Sequence, residues 1–278
     1  MIKIIADSTC DLPDGMYEQY NVTMVPLKVQ MEGVSYNDKS EITTPELFKL
    51  IKQYQKMSTT SAPAPMQYLS LFNEAAEKGD SVICFTCSSK LSGSYQSACV
   101  AADMCQGKID VIDTRTAALG SGLPVLDAAR MVQDGKSHEE IVEYCRKRVR
   151  GMRTLIVLDT MEYLRLGGRI SALTARVGGI LNIKPIINVL KDGTNTVIHR
   201  AMSYTKGVEW MFNYVMETAV DLKNQIVGVG YSTSQKVSNQ IVQRLQDLGV
   251  KEVLTAGIGS VVGTHIGPNA VGMFWMDM

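Results

Sequence analysis

Through residues 1–151, short β-rich runs alternate with capped helical stretches, and this alternation constrains the fold more than any other feature of the chain. Ile2–Ala6 and Val22–Gln30 read as strands, with a short helix over Pro13–Tyr20 between them. Thr43-Thr44-Pro45-Glu46 opens a helix, with capping-box spacing from Thr43 to Glu46 and proline near the first turn. Another helix follows Pro65, Ser81–Phe85 is β-rich, a helix follows Ser92, and Ile109–Ile112 is a strand. Two further helices complete the half, the second opening at Ser137 with Glu140 at the capping-box position. Strands separated by helices pair in parallel, and a parallel sheet is covered on both faces. The expectation is an α/β domain with a Rossmann-like parallel sheet.

The remaining residues, 152–278, read as an α+β domain. Thr154–Leu158 is a strand, and Ile186–Leu190 and Thr196–Ala201 flank Asp192-Gly193, a hairpin signal. Helices over Lys206–Leu222 and Ser234–Leu248 bracket a strand at Gln225–Tyr231, and Val253–Ala256 and Val271–Met276 supply the last strands. The domain boundary is placed near Gly151, with no internal repeat or linker.

Several function classes are disfavoured. Twenty-eight Lys and Arg balance 28 Asp and Glu, so a nucleic-acid partner is not expected. The one basic cluster, Arg146-Lys147-Arg148 with Arg150 and Arg153, sits at a helix end and is expected to face solvent. Met1–Asp7 is a strand start, too short in its apolar run for a signal peptide, and no stretch approaches a membrane span. A cytoplasmic chain without stable membrane insertion is expected. Its cysteines, at 10, 84, 87, 99, 105 and 145, are too sparse for a disulfide framework. Cys84 and Cys87, three apart in an extended run, face opposite ways and read as core thiols. His138 and His199 read as solvated, and no cluster has metal-ligand spacing. Gly257, Gly259 and Gly263 have three residues where a dinucleotide fingerprint has two, and only 15 residues follow them. Neither a P-loop nor a Gly-x-Ser-x-Gly elbow occurs.

What remains is a set of small-residue segments. The densest, Gly257 to Gly272, surrounds a single imidazole, His265, and glycine-rich backbone admits close ligand approach. Thr60 and Ser61 precede Ala-Pro-Ala-Pro, which stiffens what reads as a loop. Ser92-Gly93 precedes a helical run, where N-cap geometry leaves amides free for an anion. Arg169 lies among small residues that let it fold across a cleft. Each has a plainer reading: a structural histidine, a polar loop, an ordinary cap, a surface arginine. Together they outline a head-group site of hydroxyls rather than a set of catalytic acids.

Five segments in order strengthen the first reading. Asp7-Ser8-Thr9-Cys10-Asp11-Leu12-Pro13, Thr60-Ser61-Ala62-Pro63-Ala64-Pro65, Leu91-Ser92-Gly93-Ser94-Tyr95-Gln96-Ser97-Ala98, Glu162 to Ile170 and His265 to Gly272 run the length of the chain. In this pattern the sequence resembles the DegV family, the FakB-type fatty-acid-binding proteins of Gram-positive bacteria. The resemblance implies two domains with a long-chain fatty acid in a tunnel as ligand and no other cofactor. It maps the carboxylate site onto Thr60, Ser61, Ser92, Gly93 and His265, with Arg169 nearby to supply positive charge. It also implies a partner, an ATP-dependent fatty acid kinase that converts the presented carboxylate to an acyl phosphate for phospholipid synthesis.

A protonated His265 would hold such an anion more strongly than a neutral one. Two departures stand out: Ser94 where the family commonly has Thr, and Met202 at the place of an arginine, with Arg200 two residues earlier. The alternative is an acyl- or phosphoryl-transfer enzyme using Ser92 as nucleophile with His265 as base, although no third residue to orient the histidine is apparent. A carrier for another amphiphile, such as an isoprenoid acid, would use the same chemistry.

Overall fold

The computed structural model describes residues 1–170 and 183–277. The chain opens with β1 (Ile2–Asp7), α1 (Met16–Gln19), β2 (Val22–Val25), β3 (Lys28–Met31), β4 (Val34–Asn37), α2 (Thr44–Tyr54) and β5 (Thr59–Ser61). It continues through α3 (Pro65–Glu77), β6 (Ser81–Thr86), α4 (Ser94–Met104), β7 (Ile109–Asp113), α5 (Leu119–Gln133) and α6 (His138–Gly151). Strands β2-β1-β6-β7 form an all-parallel sheet, as the strand–helix alternation requires. Alternate residues of β1 divide between its faces. Ile5 packs with Tyr68 and Phe72 of α3, while Ile4 and Ala6 pack with Leu119 and Leu123 of α5 and Ile141 of α6.

The single strand expected over Val22–Gln30 is two. Pro26 has no amide hydrogen and ends the ladder after Val25, so β3 leaves for a separate antiparallel sheet ordered β4-β3-β5. Thr60 and Ser61, expected on a loop, therefore sit on a short strand bonded to Val29 and Lys28.

The second half contains β8 (Met152–Val157), α7 (Glu162–Leu166), β9 (Lys184–Val189), β10 (Asn195–Ala201), α8 (Tyr204–Thr218), β11 (Ile226–Tyr231), α9 (Gln235–Asp247), β12 (Glu252–Gly257), α10 (Ser260–Ile266) and β13 (Val271–Met276). Its six strands run β10-β9-β8-β13-β11-β12, antiparallel except for β11 with β12. Asp192-Gly193 turns the β9–β10 hairpin, with Gly193 at φ 89°. Helices α8 and α9 cover one face through Met211, Phe212, Ile241 and Leu245. On the other face Ile156 and Phe274 share a core with α5. Helix α5 thus lies between the two sheets, buried almost all round from Leu119 to Ala129. Contact there is tight enough that a Cβ on Gly122 would lie 2.3 Å from the Cys10 carbonyl oxygen.

Three expectations fail because packing reaches further than local pattern. Arg148 is buried against Asp127, at 2.7 Å, rather than facing solvent. His138 is buried as well, bonded to Ser81 Oγ at 2.8 Å and to Asp110 at 3.0 Å. His199 stacks on Trp210 with centroids 4.3 Å apart. All six cysteines are free, and all but Cys99 are buried. Among the described residues no helix is long and apolar enough to cross a membrane.

Candidate functional site

In the parallel sheet β1 lies between β2 and β6, so the chain leaves β1 to one side and later returns to the other. The crevice beyond the carboxyl ends of two such strands is where open α/β sheets bind ligands. Here Thr9 follows β1, and Cys87 and the Leu91–Gly93 turn follow β6. These border a cavity with about 800 Å³ of atom-free space, its mouth included. The remaining wall comes from β5, the β7–α5 turn, β8, α7, the β9–β10 hairpin and α10. Apolar groups, among them Leu27, Ala118, Ile156, Leu164 and Val262, make up most of its surface.

All six residues singled out by sequence, Thr60, Ser61, Ser92, Gly93, Arg169 and His265, line this cavity. His265 belongs to α10, not to an irregular connection, and its Nε2 lies 2.9 Å from Thr60 Oγ1. Its Nδ1 is buried without a partner among the described residues. Burial, reinforced by the Arg169 charge, pulls the imidazole down to about 4, so His265 is neutral near pH 7. Without a ligand the imidazole therefore adds no positive charge near pH 7, and the cationic side chain of the cluster is Arg169. That guanidinium donates from Nε to the Leu91 carbonyl at 3.2 Å and from Nη1 to the Gly167 carbonyl at 2.6 Å. Among the described residues no carboxylate pairs with it. Ser92 does not cap α4 directly; Gly93 holds that position, and Ser92 Oγ accepts from the Ser94 amide at 3.2 Å.

The Leu166-Gly167-Gly168-Arg169 segment can be explained residue by residue. Gly168, at φ 68°, ends α7 in the left-handed conformation. Its amide donates to the Arg165 carbonyl at 3.2 Å and the Arg169 amide to the Leu164 carbonyl at 3.0 Å, the two bonds of a Schellman cap. Gly167 is needed for a different reason, since a Cβ there would lie 2.2 Å from His265 Nδ1. One glycine sets the course of Arg169 and the other makes room for the imidazole.

Sequence reasoning missed the carboxylates that hold these parts in place. Asp7, buried at the end of β1, accepts from Thr9 Oγ1 at 2.6 Å, the Cys87 amide at 2.9 Å and Ser94 Oγ at 2.7 Å. It thereby ties the β6–α4 turn to β1, and burial raises its pKa despite these bonds. Asp38 Oδ1 accepts from the Ser260 amide at 2.8 Å and Ser260 Oγ at 2.6 Å, and Asp11 Oδ1 accepts from the Gly259 amide at 3.0 Å. These satisfy amides that the start of α10 would otherwise leave open. Lys39 pairs with Asp11 at 2.8 Å. Burial pushes the Asp11 carboxyl up to about 6, against the pull of Lys39. The only available signal was the Asp7-Ser8-Thr9-Cys10-Asp11 motif, which marks two of these acids without showing what they hold. Cys87, read as core, is buried but also borders the cavity.

Thr60, Arg169 and His265 also border a second space of about 540 Å³, lined by Met57, Ser58 and Thr59 among others. The polar cluster therefore stands between this space and the main cavity. Its chemistry is that of an anion site: one arginine, several hydroxyls and a neutral imidazole around an otherwise apolar slot. Among the described residues no group of three or more His, Cys, Asp or Glu side chains is arranged to hold a metal ion.

Comparison with known proteins gives a consistent picture. A DegV domain-containing protein of Caldanaerobacter subterraneus subsp. tengcongensis is 36% identical over 278 residues, covering 99% of each chain. A solved DegV family protein from Thermus thermophilus, described for its fatty acid binding, superposes with a TM-score of 0.93 at 31% identity, over 100% of this chain and 99% of its own. A stearic acid-binding protein from Eubacterium ventriosum gives a TM-score of 0.88 at 28% identity, over 99% and 97%. The family model described as "Uncharacterised protein, DegV family" matches residues 1–277. The chain belongs to the DegV family.

Proposed function

We propose that this protein is a carrier that holds a long-chain fatty acid non-covalently in the main cavity. The carboxylate lies against Arg169, the hydroxyls of Thr60, Ser61 and Ser92, the Gly93 backbone and His265. The observation that carries this reading is the joining of a mainly apolar cavity, about 800 Å³ of atom-free space with its mouth included, to a single cluster of anion-binding groups around Arg169. A carboxylate leaving water loses several kcal/mol of solvation unless charged or hydrogen-bonding partners replace it, and this cluster offers them. The fatty acid binding described for the Thermus thermophilus and Eubacterium ventriosum proteins supports the same ligand.

The role that follows is presentation of the bound acid, in the cytoplasm, to a separate ATP-dependent fatty acid kinase that forms the acyl phosphate. The second space behind Thr60, Arg169 and His265 supports this, because it gives the head group an approach independent of the acyl slot. Segments 1–151 and 152–278, taken as two domains, both contribute to the walls, so the ligand bridges them. Met202, 75% exposed after β10, stands where the family pattern has an arginine; if that arginine faces the kinase, docking differs in this protein. Turnover by this chain is not favoured. The hydroxyl that meets His265 belongs to Thr60, not Ser92, and among the described residues no carboxylate orients Nδ1.

The test compares fatty acid affinity in ligand-stripped wild type, Arg169→Met, Ser92→Ala and His265→Ala. Loss of a charge-assisted contact predicts about a 10- to 100-fold weakening for Arg169→Met, and loss of a neutral hydrogen bond about three- to tenfold for each of the others. Thermal unfolding should change little. Unaltered affinity in all three variants would remove the head-group assignment.

A further inference from the structure

The wall of the main cavity carries a polar feature that the head group does not use. Thr116, in the β7–α5 turn, and Thr154, on β8, both border this cavity, and each is only 2% exposed. Their hydroxyls meet at 3.0 Å. Neither residue borders the second space behind Thr60, Arg169 and His265, so the pair stands apart from the head-group cluster.

Two hydroxyls hold more bonding capacity than this one contact consumes. Each brings a proton and two lone pairs, and their mutual bond takes one proton and one lone pair. The remaining proton has only the Ala117 carbonyl oxygen, 3.4 Å from Thr116 Oγ1, a weak acceptor at that distance. Both hydroxyls are held in place from behind. A Cβ on Gly120, in the first turn of α5, would lie 2.6 Å from Thr116 Oγ1 and 2.9 Å from Thr154 Oγ1, so the glycine lets the helix pack directly on the pair.

A methylene chain gains nothing from such a pair, whereas valine at either position would offer it another methyl group. A second carboxylate does not suit it either. Among the described residues Arg169 is the one charged side chain on the cavity wall, and it serves the head group. Thr9, also on the wall, gives its hydroxyl proton to Asp7. The spare capacity at Thr116 and Thr154 therefore matches a neutral oxygen on the acyl chain.

Resting on the fatty acid reading above, we propose that the Thr116–Thr154 pair is a specificity site for a long-chain hydroxy fatty acid. The carboxylate lies at Arg169, and the chain hydroxyl donates to one threonine oxygen and accepts from the other. An unsubstituted acid still binds, because the two threonines satisfy each other when no third oxygen is added.

The experiment measures displacement of a fluorescent fatty acid from ligand-stripped full-length protein. Octadecanoic acid is compared with isomers carrying one hydroxyl near the carboxyl, at mid-chain or at the terminal carbon. One isomer is expected to bind about three- to tenfold more tightly than the parent acid, as a net neutral hydrogen bond predicts. Thr116→Val and Thr154→Val should each remove that advantage. The double variant should invert it, because the ligand hydroxyl is then buried without a partner. Thr154→Ser, which keeps the hydroxyl, should retain the advantage, whereas a merely structural role for the pair would shift both acids alike. A wild-type protein that prefers no isomer over the parent acid, or a preference that survives in the double variant, would overturn the proposal. If octadecanoic acid still binds in an Arg169-dependent way in that case, the fatty acid reading stands. Failure of the probe and of every acid to bind would overturn both.

Discussion

In the proposed site a carboxylate would be balanced by Arg169 rather than by His265, and the difference has a measurable sign. The folded-state pKa of His265, about 4, lies below the ordinary 6.5, so the unfolded chain takes up that proton first. Stability associated with the neutral imidazole is complete above 6.5 and declines as the pH falls toward 4. Asp11 acts in the opposite sense: its folded value near 6 exceeds 3.8, so its burial becomes less unfavourable over much the same interval. The two slopes oppose each other, which makes ligand affinity a cleaner readout than melting temperature. Affinity for a fatty acid should stay level from roughly pH 6 to 8, because the free imidazole, pulled down to about 4, does not change charge there. A steep loss across that range, followed by calorimetry, would make an imidazolium the counter-ion. That Thr60, Ser61, Ser92, Arg169 and His265 would gather around one cavity was legible in the small-residue segments and the family pattern. The charge on His265 was not, since it depends on burial that only the packed structure supplies.

At the scale of elements, the short ones were hardest to read and matter most to the site. Helix α10 has seven residues, and its glycine density reads as a connection. It is helical because Asp11 and Asp38, more than 200 positions earlier in the chain, cap its first amides. Strand β5 has three residues beside Ala-Pro-Ala-Pro and shows no alternation long enough to detect. The longer elements, with capping boxes at Thr43–Glu46 and Ser137–Glu140, followed their local signals closely. Asp38→Ala should strip the α10 amides and Ser8 Oγ of a buried acceptor, costing about 3 kcal/mol in denaturant unfolding. Fatty acid affinity should fall with it, because His265 rides on α10. An unfolding midpoint equal to wild type would show that other packing holds the helix.

For the whole molecule, alternation established the parallel sheet, and the Asp192-Gly193 turn pointed to the hairpin of the second, mixed sheet. The position of α5 between the sheets was not legible, because a helix buried on nearly every side shows little amphipathic contrast. Nor was the course of the cavity, which draws its walls from elements spread over more than 250 residues, from Thr9 to Ile266. Such a site exists only when both sheets pack on α5, so binding should stabilise the molecule as one unit. The decisive measurement is native mass spectrometry of the purified protein, with the ligand then extracted and identified. One long-chain acyl carboxylic acid per chain is the predicted result. A protein that carries no such acid and takes up none when it is supplied would contradict the carrier reading.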